Sequence, residues 1–467
     1  LKWEFIMKSE REYILEERLL NQLKRGQISR RQFMQSMMIA GLGLSGVSAL
    51  GAARPLFAQE SRPLTPTFYQ WIVNLHPSIP EVNETFEGLN FQIAPVEGFN
   101  VARFVAEAAN QDSTWDVYVG MTPFVEMASL IEAGVIEPWD DYIPQDILDD
   151  IIPSIRAECT VDGQLYSWPF LLDVIVQGWN SNLTTAAGLT DTPPANWDEF
   201  LTNAQTIVDS GAARYGAGYD AHGWRSLAPM THSFSTEAYY TLEGETVPLF
   251  DFTHEAAIEA LELMKQIYEL STPNLLQPGA TDGGVNNTPD EVAFASESMA
   301  YLVKYQNAHF QWSANWPDPS AVQLAALPTG GADATVFWTT GACLFKYGQN
   351  KEQAAEYMAA LTYNENIWRD SIAGTETGHV GQMPPYASVW AGWEEEQPDW
   401  IEGQTWVPLV RTQLDAAQAI PNHAFGLQQF FIGQPEWERY ITGEEPDPMV
   451  AMQAAKDAVA AEVQATT

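Results

Sequence analysis

The chain has 467 residues, 46% hydrophobic and 12% aromatic, which is enough to bury more than one core and too apolar for a disordered chain. Its formal net charge is −39, from 22 Lys and Arg against 61 Asp and Glu. A field of that sign argues against nucleic acid and anionic membrane surfaces as partners and disfavours strongly anionic ligands; its plain reading is a solubility device, with adaptation to high salt as another.

In chain order, the first segment reads as an address and not as fold. Residues 8–25 carry an amphipathic helical pattern, with Ile14, Leu15, Leu19 and Leu23 near helical spacing and Gly26 as a stop. Ser29-Arg30-Arg31-Gln32-Phe33-Met34 follows, a twin-arginine hexad ahead of an uncharged, Gly-rich stretch from Met37 to Ala53. That combination reads as a signal for the twin-arginine (Tat) export machinery. It predicts an N-terminal extension over 1–28, a signal peptide over 29–58 cut after Ala53 or Ala58, and a body delivered to the periplasm or the cell exterior. A retained membrane anchor is the competing reading, but the stretch is short and Gly-rich for a stable span. Gly41-x-Gly43-x-x-Gly46 matches a dinucleotide-binding fingerprint. No strand precedes it and no βαβ unit contains it, so the match is accidental and no cofactor is expected.

From Arg62 onward short apolar runs alternate with helical patterns. Thr67–Val73, Asn90–Pro95 and Trp115–Val119 read as strands. Val101, Phe104, Val105 and Ala108 share one helical face, and Phe124–Ala133 is a helix closed by Gly134. Asn196 with Glu199 and Thr288-Pro289-x-Glu291 are helix start signals, and Thr253 opens a helix striped by Ala257, Leu261, Met264 and Tyr268. A Gly/Asn-rich loop spans Pro278–Asn287. The alternation predicts an α/β fold with a parallel or mixed sheet. Cys159 and Cys343 read as two buried free thiols, with one long-range bridge as the alternative.

Several segments then fall in a recognisable order. Trp115–Val119 is similar to a Pro-Asp-Val strand, and Ala133–Tyr142 to an "AGLLEPLDDY" stretch. Asp162–Pro169 is similar to "DGKLYGLP", and Asn196–Phe200 to "TWDEF". Ala293–Tyr301, Leu324–Gly331 and Asn350–Ala355 resemble "AFASGKAAM", "APLPGGGG" and "NKEAA", and Thr442-Gly443 with Ala451 and Ala455 fits the C-terminal pattern. Over nearly the whole body this order resembles the extracellular solute-binding proteins of sugar-type ABC importers, the maltose-binding-protein-like family. The resemblance implies a two-lobe periplasmic-binding-protein-like fold of type II, with hinge crossovers and a ligand cleft between the lobes. By position lobe one would hold 63–172 and 341–388, and lobe two 175–337 and 392–467. It also implies that the protein binds a small-molecule solute, a mono- or oligosaccharide or polyol, and delivers it to ABC permease subunits.

A sugar presents apolar C–H faces to aromatic planes and hydroxyls to carboxylates and amides. Trp71, at the end of the first strand, is the stacking candidate in lobe one, and a core Trp reads equally well there. Met121 and Thr122 follow the strand at 115–119; Thr122 is a hydroxyl-binding candidate or a helix N-cap. Asp173 interrupts the apolar run Pro169–Val176, so its charge needs a partner, either a sugar hydroxyl pair or a salt bridge. Trp224 lies in a region that lines the sugar site in the family. Lys304–His309 replaces a Gly-x-Trp segment: Asn307 stands where the family has its stacking Trp, and Tyr305 or His309 is the substitute. Trp338, Thr339 and Thr340 occupy the second crossover, and Pro421-Asn422-His423 is a weaker candidate.

Two other classes were weighed. A cationic solute, polyamine or iron, suits the acidity, but the segment order argues against it. A secreted carbohydrate-active enzyme needs a placed carboxylate pair, while the sequence carries no His-Glu-x-x-His, Gly-x-Ser-x-Gly, Walker loop or clustered Cys/His set. Neither catalytic residues nor a metal site are expected.

Overall fold

The structure, a computed structural model, describes residues 62–94, 101–108, 111–242, 248–281, 288–374 and 380–466. The helical pattern at 8–25, the twin-arginine hexad, both cleavage positions and residues 282–287 of the Gly/Asn-rich loop lie outside them.

Ten strands form one sheet: β1 (Pro66–Phe68), β2 (Gln92–Ile93), β3 (Val117–Met121), β4 (Ile136–Glu137), β5 (Trp168–Asn180), β6 (Tyr215–Tyr219), β7 (Met299–Tyr305), β8 (Val322–Ala325), β9 (Val336–Phe345) and β10 (Gln418–Ala419). Their order is β2-β1-β3-β9-β5-β7-β6, with β8 on β5 and β4 and β10 on β9. β1, β2 and β3 run parallel, as do β6 and β7, while β5 and β9 run antiparallel to their neighbours at the centre. All 13 residues of β5 and all ten of β9 are buried, because helices cover both faces. That double burial is why the two strands read as mainly apolar runs, broken by Asp173, Gln177 and Asn180 in β5 and by Thr339 and Thr340 in β9.

From Leu172 along β5 alternate residues feed two separate hydrophobic clusters, as a period of two requires, while Leu171 joins the first with its neighbours. Phe170, Leu172, Val174 and Val176 join Phe68, Ile72, Val119, Trp139, Phe337 and Trp368 in the first. Ile175 and Trp179 join Phe200, Tyr219, Met264, Tyr301, Trp338, Phe430 and Trp437 in the second. Helix Trp406–Ala416, placed by sequence position with lobe two, sends Val407, Val410 and Leu414 into the first cluster.

Four helices matter for the site: α1 (Gln70–Leu75), α2 (Pro153–Glu158), α3 (Trp224–Phe234) and α4 (Gln306–Ser313). The strand expected over 67–73 stops at Phe68, and Trp71 sits in α1 instead. The aromatic and β-branched run misled the reading, because β1 needs only three residues to pair β2 and β3 before the chain turns. The expected strand at 115–119 is observed two residues later, at Val117–Met121. The helix expected from Thr253 begins at Glu255, with His254 Nδ1 accepting the Ala256 N–H at 3.2 Å. Asn196 does cap its helix, accepting the Glu199 N–H at 2.9 Å.

The ladder on one edge of β5 is incomplete near its middle, and a side chain completes it. Met383 exchanges backbone bonds with Leu172 (3.0 and 3.2 Å), and β7 begins pairing only at Ile175. Between them the Gln306 amide acts as a peptide unit: Oε1 accepts the Val174 N–H at 2.5 Å and Nε2 donates to the Leu172 carbonyl at 2.9 Å. Gln306→Met keeps the side chain's bulk and strands the Val174 N–H in a buried strand, while the Leu172 carbonyl keeps the Met383 N–H. The expected loss of stability is about 1–3 kcal/mol, from one unpaired buried group. Urea unfolding measures it, and a midpoint equal to that of the parent contradicts the bridging role.

Candidate functional site

In a sheet of this kind the carboxyl ends of parallel strands point at one crevice, where ligands sit. Here β1 ends before Trp71, β3 before Thr122, β6 before Asp220 to Arg225, and β7 before Gln306 and Asn307. The register of β5 then sets which central side chains join them. Asp173 pairs with Trp338 across β5 and β9, and Ile175 pairs with Tyr305 across β5 and β7. Directly paired residues share a face, and so do residues two apart. Asp173, Trp338, Thr340 and Tyr305 therefore look out of one face.

Trp224 and Arg225 arrive from α3. Gly223, with φ +50°, turns the chain into that helix in a backbone region disfavoured for other residues, and a Cβ there would meet the Gln434 amide. Trp224 lies 5.7 Å from Trp338 and Tyr305 5.6 Å from Trp338, as ring centroids. The Arg225 guanidinium sits over all three rings, at 4.9 Å from Trp224, 5.3 Å from Tyr305 and 5.9 Å from Trp338. Phe124, beyond β3, closes on Trp224 at 5.1 Å. Sequence reasoning missed Arg225 and Phe124. Adjacency to Trp224 was the available signal for the first; Phe124 gave none beyond its helical stripe.

The other expected residues divide. Asn307 is buried beside this crevice at the start of α4, and its Oδ1 has no protein partner. Met121 instead packs with Phe104, Trp115 and Tyr118, and Trp71 packs half-buried against the first cluster, 6.1 Å from Tyr69. Thr122 occupies the N-cap position before the turn Pro123–Met127, its N–H bonded to Glu126 Oε2 at 2.8 Å. Thr339 pairs with Leu172, so its side chain leaves by the opposite face from Trp338. His309 is a core histidine: Nε2 lies 2.9 Å from the Leu302 carbonyl, and burial lowers its pKa to about 4. Asn422 reaches the Glu158 carbonyl at 3.4 Å, and His423 is buried with Nε2 unpartnered. Cys159 and Cys343 are both free and buried.

Behind the rings lies a buried ion cluster. Lys304 touches Asp290 and Glu291 at 2.8 Å each and Asp220 at 3.3 Å; Asp220 also meets Arg225 at 3.4 Å and His222 at 2.9 Å. Burial alone would raise Asp220, but Lys304 and Arg225 hold it well below the usual carboxylate range. Burial opposes the charge on Lys304 too, and the three carboxylates outweigh it. Asp173 differs. Burial pushes its carboxyl up to about 7, against the pull of a 2.9 Å bond from Gln382 Nε2 and of the Arg225 charge; its Oδ1 has no protein partner. Among the described residues no group of three or more His, Cys, Asp or Glu is placed to hold a metal ion.

On the other face, Glu158 at the end of α2 accepts the Thr339 N–H at 3.2 Å and its hydroxyl at 2.7 Å. Burial raises the Glu158 carboxyl to about 8, although both Thr339 bonds lower it. Because the folded state binds this proton more tightly than the unfolded chain, whose Glu titrates near ~4.3, the contribution is whole below that pH. It is lost as pH rises toward 8, by ~1.4 kcal/mol per pH unit at most. Asp173 adds a loss of the same sign that ends near pH 7. Glu158→Gln is expected to flatten the fall of the urea midpoint between pH 5 and 8. Parallel slopes for variant and parent contradict the assignment.

Comparison with known proteins gives one family and a set of shared folds. A profile described as bacterial extracellular solute-binding protein matches residues 84–369, more than half the chain. A binding protein of Brucella abortus (strain 2308) is 25% identical over 355 residues, covering 72% of this chain and 79% of its own. Among solved structures, maltose-bound MalE3 of T. maritima superposes with a TM-score of 0.67 at 16% identity, over 87% of this chain and 100% of its own. An ABC transporter solute-binding protein of Thermotoga lettingae bound with α-D-tagatose gives 0.68 at 20% identity, over 85% and 99%. At such identities the structural likeness is one of fold.

Proposed function

The chain belongs to the bacterial extracellular solute-binding proteins, and from that premise we propose that it captures a neutral carbohydrate between two lobes and delivers it to an ABC permease. The observation that carries the reading is the aromatic face of Trp224, Tyr305 and Trp338, set against Asp173 of the central strand β5 and Arg225 of α3. Rings offer flat apolar surface to a sugar's C–H face, while Asp173 Oδ1 and the buried Asn307 amide supply hydroxyl partners. Related folds hold maltose and α-D-tagatose.

The two hydrophobic clusters are taken as the cores of the two lobes, with β5 and β9 as the crossing strands. Export by the twin-arginine route to the periplasm or exterior rests on the hexad at 29–34 and suits an extracellular family. Among the described residues no helix is long and apolar enough to cross a membrane. The family and the compared proteins are binding proteins, and the proposed role requires no bond to be made or broken.

Thermal melting and tryptophan fluorescence with maltose and D-tagatose, alongside spermidine and ferric citrate, test the proposal. A saturating sugar at a hundred times its Kd adds about 2.7 kcal/mol to the folded state and raises Tm, with the sugar recovered intact. Trp338→Ala is expected to weaken binding roughly tenfold to a hundredfold, corresponding to about 1.4–2.8 kcal/mol. A response to spermidine or ferric citrate with none to either sugar overturns the carbohydrate reading.

A further inference from the structure

Behind the aromatic face runs a line of three side chains, Asp173, Gln382 and His76, of which binding as proposed uses only the first. Gln382 Nε2 donates to Asp173 Oδ2 at 2.9 Å, and Gln382 Oε1 lies 3.0 Å from His76 Nε2. All three are buried, with Gln382 and His76 fully so. With Asp173 ionised, one orientation of the Gln382 amide fits the line. An ionised carboxylate only accepts, so Gln382 must turn its NH2 to Asp173 and its carbonyl to His76. His76 must then donate from Nε2. Burial lowers the His76 pKa to about 4, so near neutrality the ring carries a single proton. Turning the amide over would set its oxygen against the ionised carboxylate.

Each member is pinned at its backbone. Ser371 Oγ donates to the Gln382 carbonyl at 2.6 Å, and the neighbouring Met383 is bonded both ways to Leu172, next to Asp173. His76 closes α1, with its N–H on the Ile72 carbonyl at 3.0 Å, and its ring packs 6.2 Å from that of Phe170. The titratable groups around the line are Arg225, from α3, toward Asp173, and Asp370, from helix Glu365–Ala373, toward His76. A fixed bond on Oδ2 fixes the rotation of the Asp173 carboxyl, and so the direction of the free Oδ1.

We infer that Gln382, backed by His76, is a positioning residue that holds the Asp173 carboxyl with its free oxygen toward a carbohydrate hydroxyl. The inference rests on the carbohydrate reading for its ligand but not for its geometry, and two measurements separate these. In the ligand-free protein, infrared difference spectra against Asp173→Asn follow the Asp173 carboxyl through its titration. Gln382→Leu removes a donor to the ionised form, so the midpoint is expected to rise by about half a unit or more. Gln382→Glu, close to Gln in size, places a second carboxyl there and raises it as well, which covers failure of the Leu variant to fold. His76→Phe leaves the amide in place without that backing and gives a smaller rise. A midpoint unmoved by the Gln382 substitutions overturns the inference.

Calorimetric titration with maltose and D-tagatose supplies the second measurement. Gln382→Leu is expected to weaken binding about fivefold to fiftyfold in the parent and less than about twofold in Asp173→Asn, since it acts through that carboxyl. Equal losses in both backgrounds mean a merely structural glutamine and overturn the inference. If the parent binds neither sugar, the carbohydrate reading falls, and the infrared midpoint alone decides whether Gln382 sets the Asp173 carboxyl.

Discussion

The pairing of β5 with β9 is the constraint from which the rest follows. Both strands are buried along their whole length, and their residues supply two different cores. Water cannot satisfy a polar group there, so every such group must find a protein partner or face a crevice. Gln306 repairs the one edge where the ladder runs short. Thr339 is answered by Glu158, and half of Asp173 by Gln382. The unanswered half, Asp173 Oδ1, shares a face with Trp338 and Tyr305. Asp173 Oδ1 and the flat apolar rings thus share one side of the sheet, as the register requires.

Much of this was legible in the sequence, because local chemistry decides local structure. Asn196 before Trp197 and Gly134 after a helical stripe mark ends that the structure keeps. The charge of Asp173 inside an apolar run announced a need for a partner, and Trp338, Tyr305 and Trp224 were picked out as aromatic candidates. What the sequence lacks is the pairing of distant strands. Thr339 and Trp338 are neighbours in the chain but leave opposite faces of β9, and only the register with Leu172 and Asp173 says which faces the crevice. Gln382 and His76 lie 306 positions apart and meet only once the first core has formed. Trp71 shows the opposite failure: a strand-like run was overruled once three residues of β1 had met their partners.

The charges near the site follow a similar division. The chain as a whole is strongly acidic, yet the buried cluster next to the rings pairs Lys304 and Arg225 with Asp220, Asp290 and Glu291. Buried charges survive only when their partners are near-ideal, and the 2.8 Å contacts of Lys304 meet that condition. The cluster fixes the end of β6 against the end of β7, through Asp220 and Lys304. It thereby holds Trp224 and Tyr305, each next in sequence to one of its cations, at a set separation. With two cations against three carboxylates, both cations of the cluster have acidic partners within it.

Closure places a limit on how such a face gains affinity. Phe124, beyond β3, already packs on Trp224, and Arg225 already covers all three rings. On the proposed reading a sugar does not meet bare rings; it replaces ring–ring and guanidinium–ring contacts with its own. Only the difference between the two sets drives binding, and a ligand with equal affinity for open and closed forms shifts nothing. Contacts that exist solely with ligand present therefore decide selectivity. In the proposed reading those include hydroxyl bonds to Asp173 Oδ1 and Asn307 Oδ1, since neither atom has a protein partner to give up. On that reading the rings select solutes with a flat apolar face, and the polar atoms beside them select among these.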